Sequence, residues 1–450
     1  MAKLKGFSTL ICILFLLTTV LAACGGNNTP AATPTPTPAP VAEATPTPEP
    51  EETYDLGGRV IKIAAWWDLT PAGQTQGEIN RLDKIAEVEK KYNVKIEFVN
   101  VPFGEMVPNA TTSILAGEPF VDILQLEYKS AITMIKKGML LPVSEFTNEK
   151  HGINNNSGQL IKFPELGGDY YGFDNPLYIG AGIHYNRDLF ASLGLPDLKE
   201  LYTNGEWTWD KFVEIAKLAT RDTNNDGTPD VYGFSGWATD TYKHFSVANG
   251  VKIVDEITGT EQLSSPASIK TGEFLYNLYH VDNVVKVKTG DPVNWEETHT
   301  FKDGDVAMFT AHEWNLGGLS FEFGIVPFPK GPDQTTNYTY AYNNASAKFI
   351  PKGVKDPLLV YQIYEETFDI PMLEEYSGQD YLESIYQYQD DVDTLRNDIS
   401  GTGLIIVDEA FPNFPVWSFV NDIVVNKISP ATAAETYKAQ AAESATKLGE

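Results

Sequence analysis

From Arg59 to Trp67 the chain reads RVIKIAAWW, with Val60, Lys62 and Ala64 alternating against Ile61, Ile63 and Ala65. A period of two predicts a strand. Over Gly77–Tyr92 the period lengthens to that of a helix, with Ile79, Leu82 and Ala86 sharing a face. Asn93–Val101 (NVKIEFVNV) returns to strand character. Strand, helix and strand in succession imply a parallel sheet. A helix around Pro108–Ala116 and a strand over Phe120–Leu126 extend it. Thr208–Arg221 is a second clear helix: Thr208 caps it, Asp210 sits in the first turn, and Phe212, Ile215, Ala216 and Ala219 form its stripe. Trp207 and Trp209 flank its start and read as packing residues. Ser429-Pro430 opens a C-terminal helix with proline at its first position. The body shows no internal repeat.

The first 55 residues follow neither period. A basic start (Lys3, Lys5) leads into an apolar run from Phe7 to Val20, and then Leu21-Ala22-Ala23-Cys24. The run is short for a membrane span, and the small residues before Cys24 look like a bacterial lipoprotein signal. Residues 1–23 would be removed and the Cys24 thiol lipidated; the plainer alternative is an N-terminal anchor helix. Residues 25–53 are rich in Thr-Pro repeats, which favour extended polyproline II. About 25 such residues at ~3.1 Å each reach on the order of 75 Å. Residues 24–55 thus read as a tether that suits a thick, Gram-positive cell wall and places the body on the extracytoplasmic face of the membrane.

The body begins near Leu56. At roughly 400 residues it is larger than one hydrophobic core usually serves, so two lobes are expected. With 61 acidic against 33 basic side chains the net charge is −28. Such a surface repels phosphate backbones and excludes a nucleic-acid partner. Both cysteines, Cys12 and Cys24, precede the body, which therefore has neither disulfide nor thiol chemistry.

Several segments in order resemble the extracellular solute-binding proteins of ABC importers, in the large sugar-binding family that includes maltose-binding proteins. They are GEPFVDILQL with KKGMLLPVSEF, YYGFDNPLYIGAGIHYNRDLFASLGLPD with EWTWDKFVEIAKLAT, FKDGDVAMFTAHEWNLGG with FGIVPFPKGP, and the tail FPNFPVWSFVNDIVVNKISPATAAETYKAQ. The resemblance spans roughly residues 58–445. It implies a two-lobe α/β fold of the type II periplasmic-binding-protein kind, with ligand between lobes joined by hinge crossovers. Lobe one would hold 56–175 and 341–404, and lobe two 176–340 and 405–450. It also implies a monomer that hands a carbohydrate to ABC permease subunits.

A sugar offers C–H faces to aromatic rings and hydroxyls to polar groups, so its site should combine both. Trp66, Trp67 and Asp68 close the first strand at its carboxyl end, where ligands of open α/β sheets sit. Trp314 falls where maltose-binding relatives place a stacking tryptophan. Those relatives have glycine at or near the preceding position, whereas this chain has His312-Glu313, and Glu313 is itself a candidate for a ligand bond. Trp417 lies in another region that supplies aromatics in the family. Trp237 after YGFSG, Tyr128 after the third strand, and Asp174 and Asn343 at the crossovers complete the set.

DTNNDGTPD at 222–230 has the spacing of a calcium loop, with Asp222, Asn224, Asp226, the Thr228 carbonyl and Asp230 as ligands and Gly227 at the turn. Position twelve is Gly233 rather than glutamate; the alternative is a polar turn rich in Asx residues.

No HExxH, Gly-x-Ser-x-Gly or Walker spacing occurs, and the six histidines are scattered. A non-enzymatic binding protein is expected. A cell-surface glycoside hydrolase with paired carboxylates, or a lipid-anchored sensor or adhesin, are the alternatives.

Overall fold

The computed structural model describes residues 54–146, 159–162, 168–175, 181–287, 290–294, 300–342, 345–371, 373, 378–400 and 403–450. The lipoprotein signal, Cys24 and nearly all of the tether lie outside these residues.

The first strand and helix form as the periodicity predicts. β1 (Arg59–Ala65) and β2 (Val94–Asn100) pair in parallel, from Arg59 opposite Val94 to Ala65 opposite Asn100. Between them the helix Gln76–Tyr92 is opened by a capping box of Thr75 and Glu78. β3 (Ile123–Glu127) adds on the other side of β1. β4 (Gln159–Lys162), β5 (Tyr170–Asn175) and a strand from much later in the chain, Ser346–Phe349, complete a six-stranded sheet. That late strand runs antiparallel to both β3 and β5.

The second sheet holds β6 (Gly182–Asn186), β7 (Tyr232–Ser235), β10 (Val306–Ala311) and β11 (Phe323–Val326), in the order β11-β6-β10-β7. β8 (Val254–Asp255) and β9 (Thr260–Glu261) form a small hairpin. β12 (Tyr340–Tyr342) precedes the late strand of the first sheet, which is β13, and pairs in parallel with β14 (Gly403–Ile405). The chain therefore passes from the first sheet to the second between β5 and β6 and returns between β11 and β13.

Three apolar cores follow from this. One lies between the first sheet and its outer helices, around Ile61, Ile63, Val88, Tyr361 and Tyr364. The opposite face of that sheet, at Ala64, Leu124, Leu126 and Ala347, shares a core with the C-terminal helices Val416–Val424 and Pro430–Ala445. The third surrounds the second sheet. There Trp207 and Trp209 are packing residues, as expected; the Trp207 indole donates to the Pro327 carbonyl at 2.7 Å.

Three expectations need correction. Within Gln76–Tyr92 the buried stripe is Ile85, Val88 and Tyr92, while Ile79, Leu82 and Ala86 are exposed. Docking on the helix Pro357–Glu366 decides this: Tyr92 Oη and Lys91 Nζ both bond the Glu366 carboxylate at 2.9 Å. The next helix spans Phe103–Leu115 rather than starting at Pro108, because Met106, two residues earlier, is already a buried anchor. The stretch 341–404 does not belong wholly to the first lobe. Leu382, Tyr386, Val392, Leu395 and Ile399 pack into the core of the second sheet, and Asp391 pairs with Arg187 at 2.8 Å.

Candidate ligand site

The carboxyl ends of β1, β3 and β10 carry the candidate residues. β1 runs into Trp66 and Trp67. Trp66 is half-buried, edge-on to Trp67 at 5.1 Å and to Phe103 at 5.4 Å between centroids. That leaves Trp67 43% exposed, held from behind by its neighbour. Asp68 is exposed, and one of its oxygens accepts from the Thr70 amide at 2.9 Å, which holds its carboxyl below the usual range.

β10 ends in the short turn Glu313–Asn315. His312 and Asn315 cap each other across it. The buried His312 ring lies nearly parallel to the Trp314 ring, 5.6 Å away, and Trp314 stands 52% exposed. The two residues before Trp314 therefore shape the platform: His312 backs the indole, and Glu313 lies half-buried next to it. Burial raises the Glu313 carboxyl to about 7, opposed only by its own backbone amide. Among the described residues no lysine or arginine pairs with it. Its charge is felt by the phenols of Tyr340, Tyr342, Tyr381 and Tyr386, each already pushed up by burial. Tyr386 is itself spoken for, its hydroxyl 3.0 Å from His184 Nε2.

Tyr342 also feels the charge of Glu127, the last residue of β3. None of the four tyrosines was among the sequence candidates. They come from separate segments, and only Tyr340 and Tyr342, alternating in the expected crossover, carried any local signal.

The other candidates divide. Trp417, at the start of Val416–Val424, is 50% exposed. Trp237 is half-buried before the helix Ala238–Ala248, and its indole donates to the Val293 carbonyl at 2.9 Å, so it serves local structure. Tyr128 is not presented for a ligand: its ring is buried in the core and its amide donates to the Ala345 carbonyl at 2.8 Å. The side chain of Asp174 and all of Asn343 lie outside the described residues.

The 222–230 loop is closed by its own amides. Asp222 accepts from the amides of Asn225, Asp226 and Gly227. Asn224 and Asp226 accept from the amides of Asp226 and Thr228. Asp230 closes the loop on Thr223 and Asn224. Among the described residues no group of three His, Cys, Asp or Glu side chains converges. The loop carries a series of Asx turns.

Two α/β lobes, crossed by the chain at their junction and carrying exposed rings at strand ends, define a hinged ligand-binding protein of the type II periplasmic-binding-protein fold. The family profile for bacterial extracellular solute-binding proteins matches residues 75–357, and the chain belongs to that family. The arabinooligosaccharide-binding protein of Bacillus subtilis is 22% identical over 296 residues, which is 61% of this chain and 62% of that protein. The chain thus matches less than two thirds of that relative's length. Among solved structures, the Thermus thermophilus maltotriose binding protein bound with maltotriose aligns with a TM-score of 0.59 and 18% identity, over 85% of this chain and 99% of that one. An ABC substrate-binding protein from Listeria monocytogenes in complex with cycloalternan gives a TM-score of 0.59 and 16% identity, over 87% and 99%. At these identities the likeness establishes the fold.

Proposed function

We propose that this chain is the lipid-anchored receptor of an ABC importer and that it captures a carbohydrate, an oligosaccharide, between its lobes. The observation that carries the reading is the pairing of half-exposed indoles with an uncompensated acid. Trp67 and Trp314 stand at strand ends, each backed by another ring, and Glu313 lies beside Trp314. Exposed indoles invite the apolar face of a sugar, and the carboxylate and phenols receive its hydroxyls once water is excluded. Trp417 and Trp66 extend the aromatic surface, and Asp68 keeps a second oxygen for a hydroxyl.

In this reading Cys24 carries the lipid and the Thr/Pro tether holds a monomeric body outside the membrane of a Gram-positive cell. Among the described residues no helix is long and apolar enough to cross a membrane. Capture closes the lobes, and the closed form is presented to permease subunits. No bond of the ligand is broken. The named ligands of the relatives, an arabinooligosaccharide and maltotriose, support the sugar class and set the first panel to try.

The test is a melting-temperature screen against arabino- and malto-oligosaccharides, with product analysis of the same mixtures. A saturable rise without turnover is expected. Steady consumption of one sugar would move the chain to the hydrolase reading.

A further inference from the structure

Lys129, on the helix Tyr128–Lys136 that follows β3, holds two carboxylates: Glu127 Oε2 at 3.2 Å and Glu409 Oε2 at 2.8 Å. The other Glu409 oxygen lies 3.4 Å from Lys243 Nζ, and Lys243 meets Asp408 at 2.9 Å. Five charges therefore form one chain. It starts at the end of β3 in the first lobe and passes through the short turn Asp408–Ala410. It ends at Lys243 on the helix Ala238–Ala248, which directly follows β7 of the second lobe.

The links differ in how easily they part. Lys243 and Asp408 are buried, so separating them would strand a charge in the core. Glu409 is 48% exposed, and a cavity of about 290 Å³ lined by Thr111, Lys129, Thr133 and Glu409 opens beside its contact with Lys129. Water and salt reach that link, and an ion pair at such a site is weak and screened.

We propose that Lys129 is a positioning residue whose contact with Glu409 sets how the two lobes sit relative to one another. Lys243 and Asp408 are the buried anchor of the same chain; Lys129–Glu409 is the exposed link that opens. Its far end, Glu127, closes β3 of the first lobe.

The experiment needs no ligand. Cys12 and Cys24 are the only cysteines. In the full chain carrying Cys12→Ser and Cys24→Ser, spin labels at Lys90→Cys and Glu206→Cys, one exposed site in each lobe, report the interlobe distance distribution. At low salt, Lys129→Met and Glu409→Gln should each change the ratio of lobe arrangements by about threefold, as expected of one exposed pair. The double variant should do no more than either single one, and ~1 M salt should move the parent in the same direction. Lys252→Met, which breaks the separate Lys252–Glu256 pair, should change nothing. Glu409→Gln keeps its shape and guards against misfolding of the lysine variant; melting curves check both. Distributions that superpose for the parent and both variants overturn the proposal, as does a double variant whose effect is the sum of the two. Since no sugar is present, either result leaves the carbohydrate reading to its own test.

Discussion

The Lys243 ammonium and the Asp408 carboxylate face each other at 2.9 Å with both side chains only 2% exposed. Burial opposes the lysine charge, but Asp408 and Glu409 outweigh it and hold the ammonium above its ordinary range. Removing one partner leaves the other charged in the core. Lys243→Met is therefore expected to cost about 3–5 kcal/mol. Adding Asp408→Leu should recover most of that loss, because no charge then remains buried. Urea unfolding of the two variants checks this; a double variant as unstable as the single one would show that packing, not charge, dominates.

Glu313 titrates near 7 when folded, against an ordinary value of 4.5. Between those values the native state binds the proton more tightly than the unfolded chain. This group's contribution to stability is thus present below about pH 4.5 and is lost as pH rises through 7. Glu313→Gln removes the dependence. The melting temperature of the variant minus that of the parent should grow from pH 5 to pH 8, and a flat difference would contradict the burial of this carboxyl.

The buried histidines act in the opposite sense. Desolvation lowers His184 to about 3 and His312 to about 4, and places His244 well below the usual value. Above an ordinary histidine value of 6.5 they cost nothing; below it the unfolded chain takes up protons that the native state refuses. Stability should fall as pH drops from 6.5 towards 4. His244→Phe keeps a ring against Phe328, now 4.6 Å from the imidazole, and should blunt the fall. An unchanged acid limb in thermal scans would place the cause elsewhere.

Trp67, Trp314 and Trp417 are each about half exposed, so truncating them removes little packing. Trp314→Ala should weaken sugar binding roughly tenfold or more by calorimetry, as expected for loss of a stacking platform. The melting temperature without sugar should shift by no more than about 2 °C. A large loss of stability with unaltered affinity would make this ring structural.

The proposed lipidation rests on one thiol, Cys24. Cys24→Ser should send the chain from the membrane fraction to the culture medium while sugar-induced stabilisation of the released protein persists. Continued membrane retention would favour an uncleaved anchor helix.

Local order was readable from the chain. Alternation marked β1 and β2, and Thr208 with the Phe212, Ile215, Ala216 and Ala219 stripe marked its helix, because periodicity and capping depend on residues a few positions apart. The strand-end rule led to Trp67, and the resemblance to Trp314. The same local cues placed Tyr128 at the end of β3 but missed its burial: the residue is only 4% exposed.

Alone, then, the sequence determined the elements, the two-lobe class, the absence of cysteine chemistry in the body and the strand ends that carry indoles. Tertiary structure decided which stripe of Gln76–Tyr92 is buried and which lobe claims Gln379–Ile399. It also brought Tyr340, Tyr342, Tyr381 and Tyr386 to one carboxylate, and joined Glu127, Lys129, Glu409, Lys243 and Asp408 into one chain of charges. The ion pairs Lys129–Glu409 and Lys243–Asp408 join residues more than a hundred positions apart. The energies of all these meetings come from excluding water between surfaces that the local pattern of either segment does not specify.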